Sequence, residues 1–211
     1  MIGGVRAAFV LGICAVVIAC GGGSREGIEL ARSMGLPADV GAVCDDGRIL
    51  GEEIGDVDGS GACGIEDAVR VHAVGGILLK PTARLNCRTA AALKNWTATA
   101  EEITKEVAGE KLTELRVAAS YACRRRNNSS SGRLSEHARG NAIDISGVTL
   151  EGGETIRVSG NWRGTGRAEL MRALHEAGCG PFGVVLGPAA DRYHQTHFHF
   201  DISNMDRKYC R

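Results

Sequence analysis

Apolar side chains recur at helical spacing in two segments of the chain. In the longer segment, residues 88–110, they fall on one face of the predicted helix: Ala90, Ala91, Leu93, Trp96, Ala100, Ile103 and Val107. Thr89 is the expected N-cap of this helix. The second predicted helix covers residues 167–177 and ends at Gly178. One further helical turn is expected at residues 27–34.

Short apolar runs predict strands at residues 48–50, 112–120, 141–147, 155–158, 183–186 and 196–203. The rest of segment 40–64 is rich in glycine and aspartate and is expected to form loops, as is the polar segment 124–133. Helices and strands are mixed without regular βα alternation. The predicted fold is therefore α+β, with a central, mostly antiparallel sheet and flanking helices.

Composition narrows the class of protein. The chain has 211 residues, with 25 basic and 25 acidic side chains and 44% hydrophobic residues. This length suits one domain with a tail, and the apolar content excludes a disordered chain. The zero net charge argues against a nucleic-acid partner, because proteins that bind nucleic acids normally carry a basic excess.

The N-terminal segment predicts export. Residues 7–19 form an apolar run that is too short for a membrane-spanning helix and is typical of a secretory signal peptide. Cys20 follows Ala19 and precedes Gly21, an order that resembles a bacterial lipobox, in which the cysteine receives a lipid. The alternative is an ordinary signal peptide with an incidental cysteine.

These features divide the chain into three parts. We expect a lipoprotein-type signal peptide at residues 1–19, lipidated Cys20 with a tether at 20–38, and one domain at 39–211. Gly21, in place of an aspartate, indicates the outer membrane. The protein is therefore expected to be an outer-membrane lipoprotein that faces the periplasm.

Eight cysteines are many for a chain of this size. Cys14 lies in the predicted signal peptide and Cys20 is the expected lipid carrier, so six remain. No pair among the six has the C-x-x-C spacing of a zinc site, and exported proteins meet an oxidant. We therefore expect a disulfide-stabilised domain. Six cysteines allow fifteen pairings. Of these we choose the sequential pairs around plausible ends of elements, Cys44–Cys63, Cys87–Cys123 and Cys179–Cys210.

Residues 196–202 read Thr-His-Phe-His-Phe-Asp-Ile and alternate in polarity. Alternate residues of a strand share a face, so His197, His199 and Asp201 are expected to point one way. The opposite face, directed into a core, would carry Phe198, Phe200 and Ile202. Imidazoles and a carboxylate on one face are good zinc ligands, and the alternative is a solvated face of an edge strand.

Residues 135–144 read Ser-Glu-His-Ala-Arg-Gly-Asn-Ala-Ile-Asp and supply two further candidate ligands. His137 lies in a predicted loop and Asp144 on the following strand. Gly140 permits the turn that brings these two side chains together. With one ligand from the strand that carries His197 and His199, the protein would provide three ligands and leave a fourth position open, as in catalytic zinc sites.

The motif S-x-H-x-x-G-x-A-x-D at residues 135–144, followed by H-x-H at 197–199, resembles the zinc peptidases of the LAS group. That group comprises D-Ala-D-Ala carboxypeptidases and endopeptidases, lysostaphin-type enzymes and the Hedgehog fold. The longer stretches at 120–124, 134–144, 185–188 and 194–201 resemble the bacterial extensin-like C-terminal domain family. The resemblance covers roughly residues 44–210 and implies a Hedgehog-like, D-Ala-D-Ala-peptidase-like fold.

The resemblance also implies roles for single residues. His137, Asp144 and His199 match the metal ligands. His197 matches the histidine that assists the attacking water in the H-x-H members. Other members place a glutamate three residues before the last ligand as general base, and Thr196 occupies that position here.

Two more residues are expected at the catalytic site. Arg124 lies where related carboxypeptidases keep an arginine near the substrate carboxylate. Ser135 is expected to order its loop and to contact substrate. Asp201 or Glu136 could orient an imidazole, and for Asp201 a surface hydrogen bond is the alternative.

Two functions follow from these expectations. The first is a zinc-dependent envelope peptidase that hydrolyses stem-peptide amide bonds of peptidoglycan, as a carboxypeptidase or a cross-link endopeptidase. The second is a non-catalytic lipoprotein that binds the cell wall or a metal and retains the fold. The ligand set and His197 are all present, which favours the enzyme. We expect Zn²⁺ as cofactor, peptidoglycan as partner, membrane attachment through Cys20, no nucleic-acid partner, and a monomer.

Overall fold

Residues 25–164 and 166–211 are described by the computed structural model of the protein. The predicted signal peptide at 1–19, Cys20 and the start of the expected tether lie outside the described residues. The described helices and strands, in chain order, are α1 Arg25–Ser33, β1 Gly41–Val43, β2 Asp46–Asp58, β3 Gly64–Val74, β4 Ile77–Leu85, α2 Cys87–Ala108, β5 Leu112–Ala119, β6 Ala142–Leu150, β7 Thr155–Arg157, α3 Val158–Asn161, α4 Arg167–Ala177, β8 Val184–Leu186, β9 Phe198–Asp201 and β10 Tyr209–Cys210.

One sheet joins the strands in the order β1-β2-β3-β4-β5-β6-β9-β8-β10, and β7 pairs with β6 beside this path. Among the described pairings only β4 with β5 and β8 with β10 are parallel. The predicted α+β fold with a mostly antiparallel sheet is confirmed. Strand β6 is central because β5 covers one of its edges, while β9 and β7 share the other.

Helix α2 supplies much of the core. Leu93, Trp96 and Ala100 are fully buried, as their helical spacing predicts, and they belong to one cluster with residues of the sheet and of α4. The indole Nε1 of Trp96 donates a hydrogen bond to the carbonyl of Leu174 at 2.9 Å, which ties α2 to α4. The N-cap is Asn86 and not the expected Thr89, because the Asn86 side chain accepts from the Thr89 backbone N–H.

The predicted strands at 112–120, 141–147, 155–158 and 183–186 are confirmed as β5 to β8, and the helix at 167–177 as α4. The loops expected over most of 40–64 are wrong, because the 13-residue strand β2 occupies much of that segment. Several register shifts interrupt its pairing with β3, and they accommodate glycines and aspartates that disfavour a regular strand. The strand expected at 196–203 is also shorter, since β9 starts at Phe198.

Helix α1 packs on the face of the sheet opposite to the one that α2 covers. Leu50 and Ala73 are paired across β2 and β3 and pack with Ala31 of the helix in a second, smaller cluster. A Cβ on Gly27 would lie 2.6 Å from the Cβ of Ala42, so the helix approaches β1 closely because this residue is glycine. No helix in the part of the chain that the structure covers has the length and apolar content needed to cross a membrane.

All six cysteines of the domain form disulfides, as expected, but two of the expected pairs are wrong. The observed pairs are Cys44–Cys87, Cys63–Cys123 and Cys179–Cys210. Cys44 and Cys63 flank the two ends of β2, and a 13-residue strand holds its ends much farther apart than a disulfide permits. Cys44–Cys87 instead joins the turn between β1 and β2 to the start of α2, and Cys63–Cys123 joins the loop between β2 and β3 to the loop after β5.

Disulfide mapping tests this arrangement. Proteolysis of the purified, unreduced protein, followed by mass spectrometry, should yield cross-linked peptides for the pairs Cys44–Cys87, Cys63–Cys123 and Cys179–Cys210. The same digest after reduction serves as the control. A peptide that links Cys44 to Cys63 would contradict the observed hairpin.

Candidate metal centre

Asp144 and His199 lie directly opposite each other on the antiparallel strands β6 and β9. Residues in such a pair point to the same face of the sheet and bring their Cβ atoms to about 4.5–5.5 Å. The alternating partners, Ile143 with Phe200 and Ile145 with Phe198, point into the core. The predicted two-faced strand is therefore confirmed for His199 and its neighbours.

His137 reaches the same place from a single helical turn at Glu136–Arg139, which follows the loop after β5. Gly140 ends this turn with a φ of 64°. A Cβ on Gly140 would lie 2.6 Å from the side chain of Ile65 and 3.0 Å from the backbone nitrogen of Asn86. Glycine is therefore required here both for the left-handed conformation and for the close approach of the chain.

Three potential ligand atoms converge at the end of these elements. Nε2 of His137 lies 3.1 Å from Oδ1 of Asp144 and 3.1 Å from Nδ1 of His199. Nδ1 of His199 lies 2.9 Å from the same Asp144 oxygen. His137 and Asp144 are 1% and 4% exposed, so the sheet and its loops close the site from below.

Protons on the outer nitrogens leave these inner atoms as acceptors. A backbone carbonyl only accepts, so Nδ1 of His137 donates to the Ser120 carbonyl at 2.6 Å and Nε2 of the neutral ring carries a lone pair. Nε2 of His199 likewise donates to Oδ2 of Asp201 at 3.1 Å. Asp201 is held in turn by the backbone N–H of Ser203 at 2.8 Å. When Nδ1 of His199 also lacks a proton, three lone pairs face one another, an arrangement that a bound cation would stabilise.

The donor set fits zinc. Zinc bonds imidazole nitrogen and carboxylate oxygen at about 2.0–2.1 Å in a tetrahedral site, which spaces ligand atoms by about 3.3 Å. The observed separations of 2.9–3.1 Å are close to that spacing. Among the described residues, one ligand atom each from His137, Asp144 and His199 lie within 4.8 Å of one another, close enough to bind the same metal ion.

Without a metal ion, Asp144 and His199 form an ion pair. Burial acts to raise the pKa of the Asp144 carboxyl, but hydrogen bonds with His137 and His199 outweigh it and hold that pKa far below its ordinary range. Burial acts to lower the pKa of His199, and hydrogen bonds with Asp144 and Asp201 outweigh it and raise that pKa to about 9. A proton and a metal ion therefore compete for Nδ1 of His199.

His197 stands beside the cluster without joining it. It precedes strand β9, and its Nε2 lies 3.7 Å from Oδ2 of Asp144, the oxygen that faces away from the other two ligand atoms. Burial lowers the pKa of His197 below its ordinary value, with Asp144 opposing this shift and His194 and His199 adding to it. The ring is therefore neutral near pH 7 and available to accept a proton.

Sequence reasoning assigned no role to His194 or Asp191. Nδ1 of His194 lies 2.8 Å from Oδ1 of Asp191, and the His194 ring lies 5.3 Å from the ring of His197 and 5.7 Å from that of His199. The spacing D-x-x-H-x-x-H-x-H over residues 191–199 is the signal that could have indicated them. The acidic partner orients His194 as Asp201 orients His199.

A cavity of about 320 Å³ opens above the cluster. Arg124 and Ser135, the two further residues expected at the site, both line it, together with Arg126, Arg133, Tyr193 and Asn204. Of the two residues proposed to orient an imidazole, Asp201 does so. Glu136 does not, because its carboxylate accepts from Asn141 at 2.9 Å and pairs with Arg126 at 3.5 Å.

The described residues thus form an α+β domain with three disulfides and a His-Asp-His cluster at the base of a polar cavity. The family model of the extensin-like protein C-terminus matches residues 43–211. The chain belongs to that family, as the motifs around His137 and His199 indicate. Comparison with curated proteins and with solved structures gives no match.

Stability as a function of pH tests the coupling of His199 to Asp144. The pKa of His199 in the folded protein, about 9, lies above its ordinary value of 6.5. Its protonation therefore stabilises the metal-free fold fully below about pH 6.5, and this contribution is lost as the pH rises through about 9. Chemical denaturation with a chelator present should show a free energy of unfolding that falls over this window.

With zinc present the trend should reverse, because deprotonation of Nδ1 favours metal binding. The variant His199→Gln serves as control. Its free energy of unfolding should show neither the fall with pH seen without zinc nor the rise with pH seen with zinc. A metal-free wild type whose stability rises between about pH 6.5 and pH 9 would contradict the described ion pair.

Proposed function

We propose that this protein is a zinc peptidase of the bacterial envelope that hydrolyses amide bonds in the stem peptides of peptidoglycan. The observation that carries the proposal is the convergence of His137, Asp144 and His199 at the base of a cavity, with neutral His197 beside them. The ligand order along the chain and the H-x-H spacing support relation to the LAS-type peptidases. A Hedgehog-like fold is part of the same proposal.

His137, Asp144 and His199 would hold the zinc ion, which when bound would supply a Lewis acid for a carbonyl and lower the pKa of a water molecule toward neutral pH. The protein provides the geometry for this chemistry. Hydrogen bonds to the Ser120 carbonyl and to Asp201 hold the two imidazoles in one orientation, with Nε2 of His137 and Nδ1 of His199 directed at each other.

His197 is the proposed proton carrier. Its lowered pKa keeps the ring neutral, so it can take a proton from the attacking water and deliver it to the leaving amine. Its side chain is 18% exposed, which gives it access to a substrate in the cavity. His194, fixed by Asp191, lies next to it and limits the orientations of its ring.

The cavity wall suits a substrate with negative charge. Arg124, Arg126 and Arg133 line it, and guanidinium groups bind carboxylates with paired N–H donors. Arg126 already pairs with Glu136, so Arg124 and Arg133 are the groups proposed to meet the substrate. Ser135 lines the same wall, and its backbone N–H is bonded to the Arg124 carbonyl at 3.0 Å, so the two proposed substrate contacts are coupled. Stem peptides of peptidoglycan carry carboxylates next to amide bonds, which supports this choice of substrate class.

The proposed location rests on other observations. Three disulfides are typical of proteins that fold in an oxidising compartment. The apolar run at 7–19 and the following Cys20 support export and lipidation. We therefore infer a monomeric lipoprotein of the outer membrane, facing the periplasm and the cell wall.

Digestion of purified sacculi tests the activity. Zinc-loaded wild type should release new muropeptides, which chromatography and mass spectrometry identify together with the bond that is cut. His197→Ala should retain bound zinc and lose activity by about 10²- to 10⁴-fold, the usual contribution of a proton carrier. His199→Ala should lose both zinc and activity, because Asp144 and His137 then lack the third ligand.

These variants separate the enzyme from a non-catalytic binding lipoprotein. Wild type that binds zinc and sacculi at several pH values, yet releases no product, would contradict the peptidase and favour the binder. Wild type and His137→Ala that both lack zinc after metal loading would remove the basis of the metal site itself.

A further inference from the structure

Three asparagines with left-handed backbone conformation surround the cavity. Asn127, Asn128 and Asn204 have φ values of 56°, 53° and 56°, and all three line the cavity above the metal centre. Asn127 and Asn128 lie in the loop after β5, whereas Asn204 follows β9. Two segments that are distant in sequence therefore each place asparagines with positive φ at the same cavity.

This conformation is normally given to glycine. Among the described residues, most positions with positive φ are glycines, and the remaining non-glycine positions are Cys44, Asp45, Asp67, Asn127, Asn128 and Asn204. Half of these exceptions lie at one cavity. Asparagine is, after glycine, among the residues that adopt this conformation most readily, and unlike glycine it adds a carboxamide to the cavity wall at each of the three positions.

The three amides have no role within the fold. Their side chains make no hydrogen bond with any other residue that the structure describes, and they are exposed. The backbone alone holds them: the N–H of Asn128 donates to the Arg125 carbonyl at 3.2 Å, and the carbonyl of Asn204 accepts from Arg207 at 2.9 Å. The backbone position of each asparagine is thus set by the loop, while its amide is free to bond a ligand.

The chemistry of these amides points to a peptide backbone. A carboxamide offers two N–H donors and one carbonyl acceptor, which match the carbonyl and N–H of a peptide bond. The neighbouring Arg124, Arg126 and Arg133 offer donors only and serve anionic groups. The cavity therefore combines amide recognition with carboxylate recognition.

We propose that Asn127, Asn128 and Asn204 bind main-chain amides of a peptide that extends through the cavity past the scissile bond. The site then selects a stem peptide of several residues over a free dipeptide. This inference rests on the proposed function for its reaction, but the binding step can be measured without turnover.

The test uses His197→Ala protein loaded with zinc, so that bound peptide is not cut. Calorimetry measures its Kd for a synthetic stem pentapeptide ending in D-Ala-D-Ala and for the dipeptide D-Ala-D-Ala. Adding Asn127→Gly and Asn128→Gly, or Asn204→Gly, should raise the Kd for the pentapeptide about tenfold or more and leave that for the dipeptide unchanged. Because glycine suits these φ values, the Tm should stay the same or rise.

Asp45→Gly is the matched control. Asp45 is exposed, has a φ of 54° and lies outside the residues that line the cavity, so its replacement should change neither Kd nor Tm beyond the effect of backbone freedom. Unchanged pentapeptide affinity in the asparagine variants, or no measurable binding by the parent protein, would overturn the inference.

The outcomes remain separable from those of the sacculus digestion. Wild type that cuts sacculi, combined with asparagine variants that bind the pentapeptide normally, would retain the proposed function and overturn this inference. Wild type that cuts nothing, combined with lost pentapeptide binding in the asparagine variants, would overturn the function and support the inference.

Discussion

The register between strands β6 and β9 is the constraint on which the rest of the site depends. It places Asp144 opposite His199 on one face and Ile143 opposite Phe200 on the other. Because side chains alternate along a strand, a slip of β9 by one residue would turn His199 into the core and Phe200 toward the cavity, leaving Asp144 without its partner. Phe200 packs against Trp96 and Phe182 with ring centres 5.1 Å and 5.0 Å away, so core packing and ligand geometry depend on the same register.

The base and the rim of the cavity are built differently. The base consists of paired strands and the helical turn of His137. The rings of His137 and His199 each have an outer hydrogen-bond partner, which offsets the cost of burying polar groups. The rim consists of loops that are fixed locally. The disulfide Cys63–Cys123 holds the loop of Arg124 to the hairpin of β2 and β3. A rigid base suits chemistry that needs fixed ligands, whereas a loop rim can set the choice of substrate.

Local sequence patterns predicted the parts of the site that depend on neighbouring residues. Alternation around His199 identified its strand face, the turn at Gly140 followed from the spacing of His137 and Asp144, and helical spacing located α2 around Trp96. The long β2 was missed because its pairing with β3 is irregular and its sequence is typical of loops. The disulfide partners and the asparagines at the cavity depend on contacts between distant segments, which periodicity does not report.

Family membership is shown for residues 43–211. The proposed peptidase activity requires in addition that two imidazoles and one carboxylate hold a zinc ion. X-ray absorption at the zinc edge on the purified, zinc-loaded protein tests this claim most directly. We expect about one zinc per chain, with nitrogen and oxygen ligands at about 2.0–2.1 Å and histidine scattering from two rings. A shell of sulfur at about 2.3 Å, or no bound zinc, would contradict it.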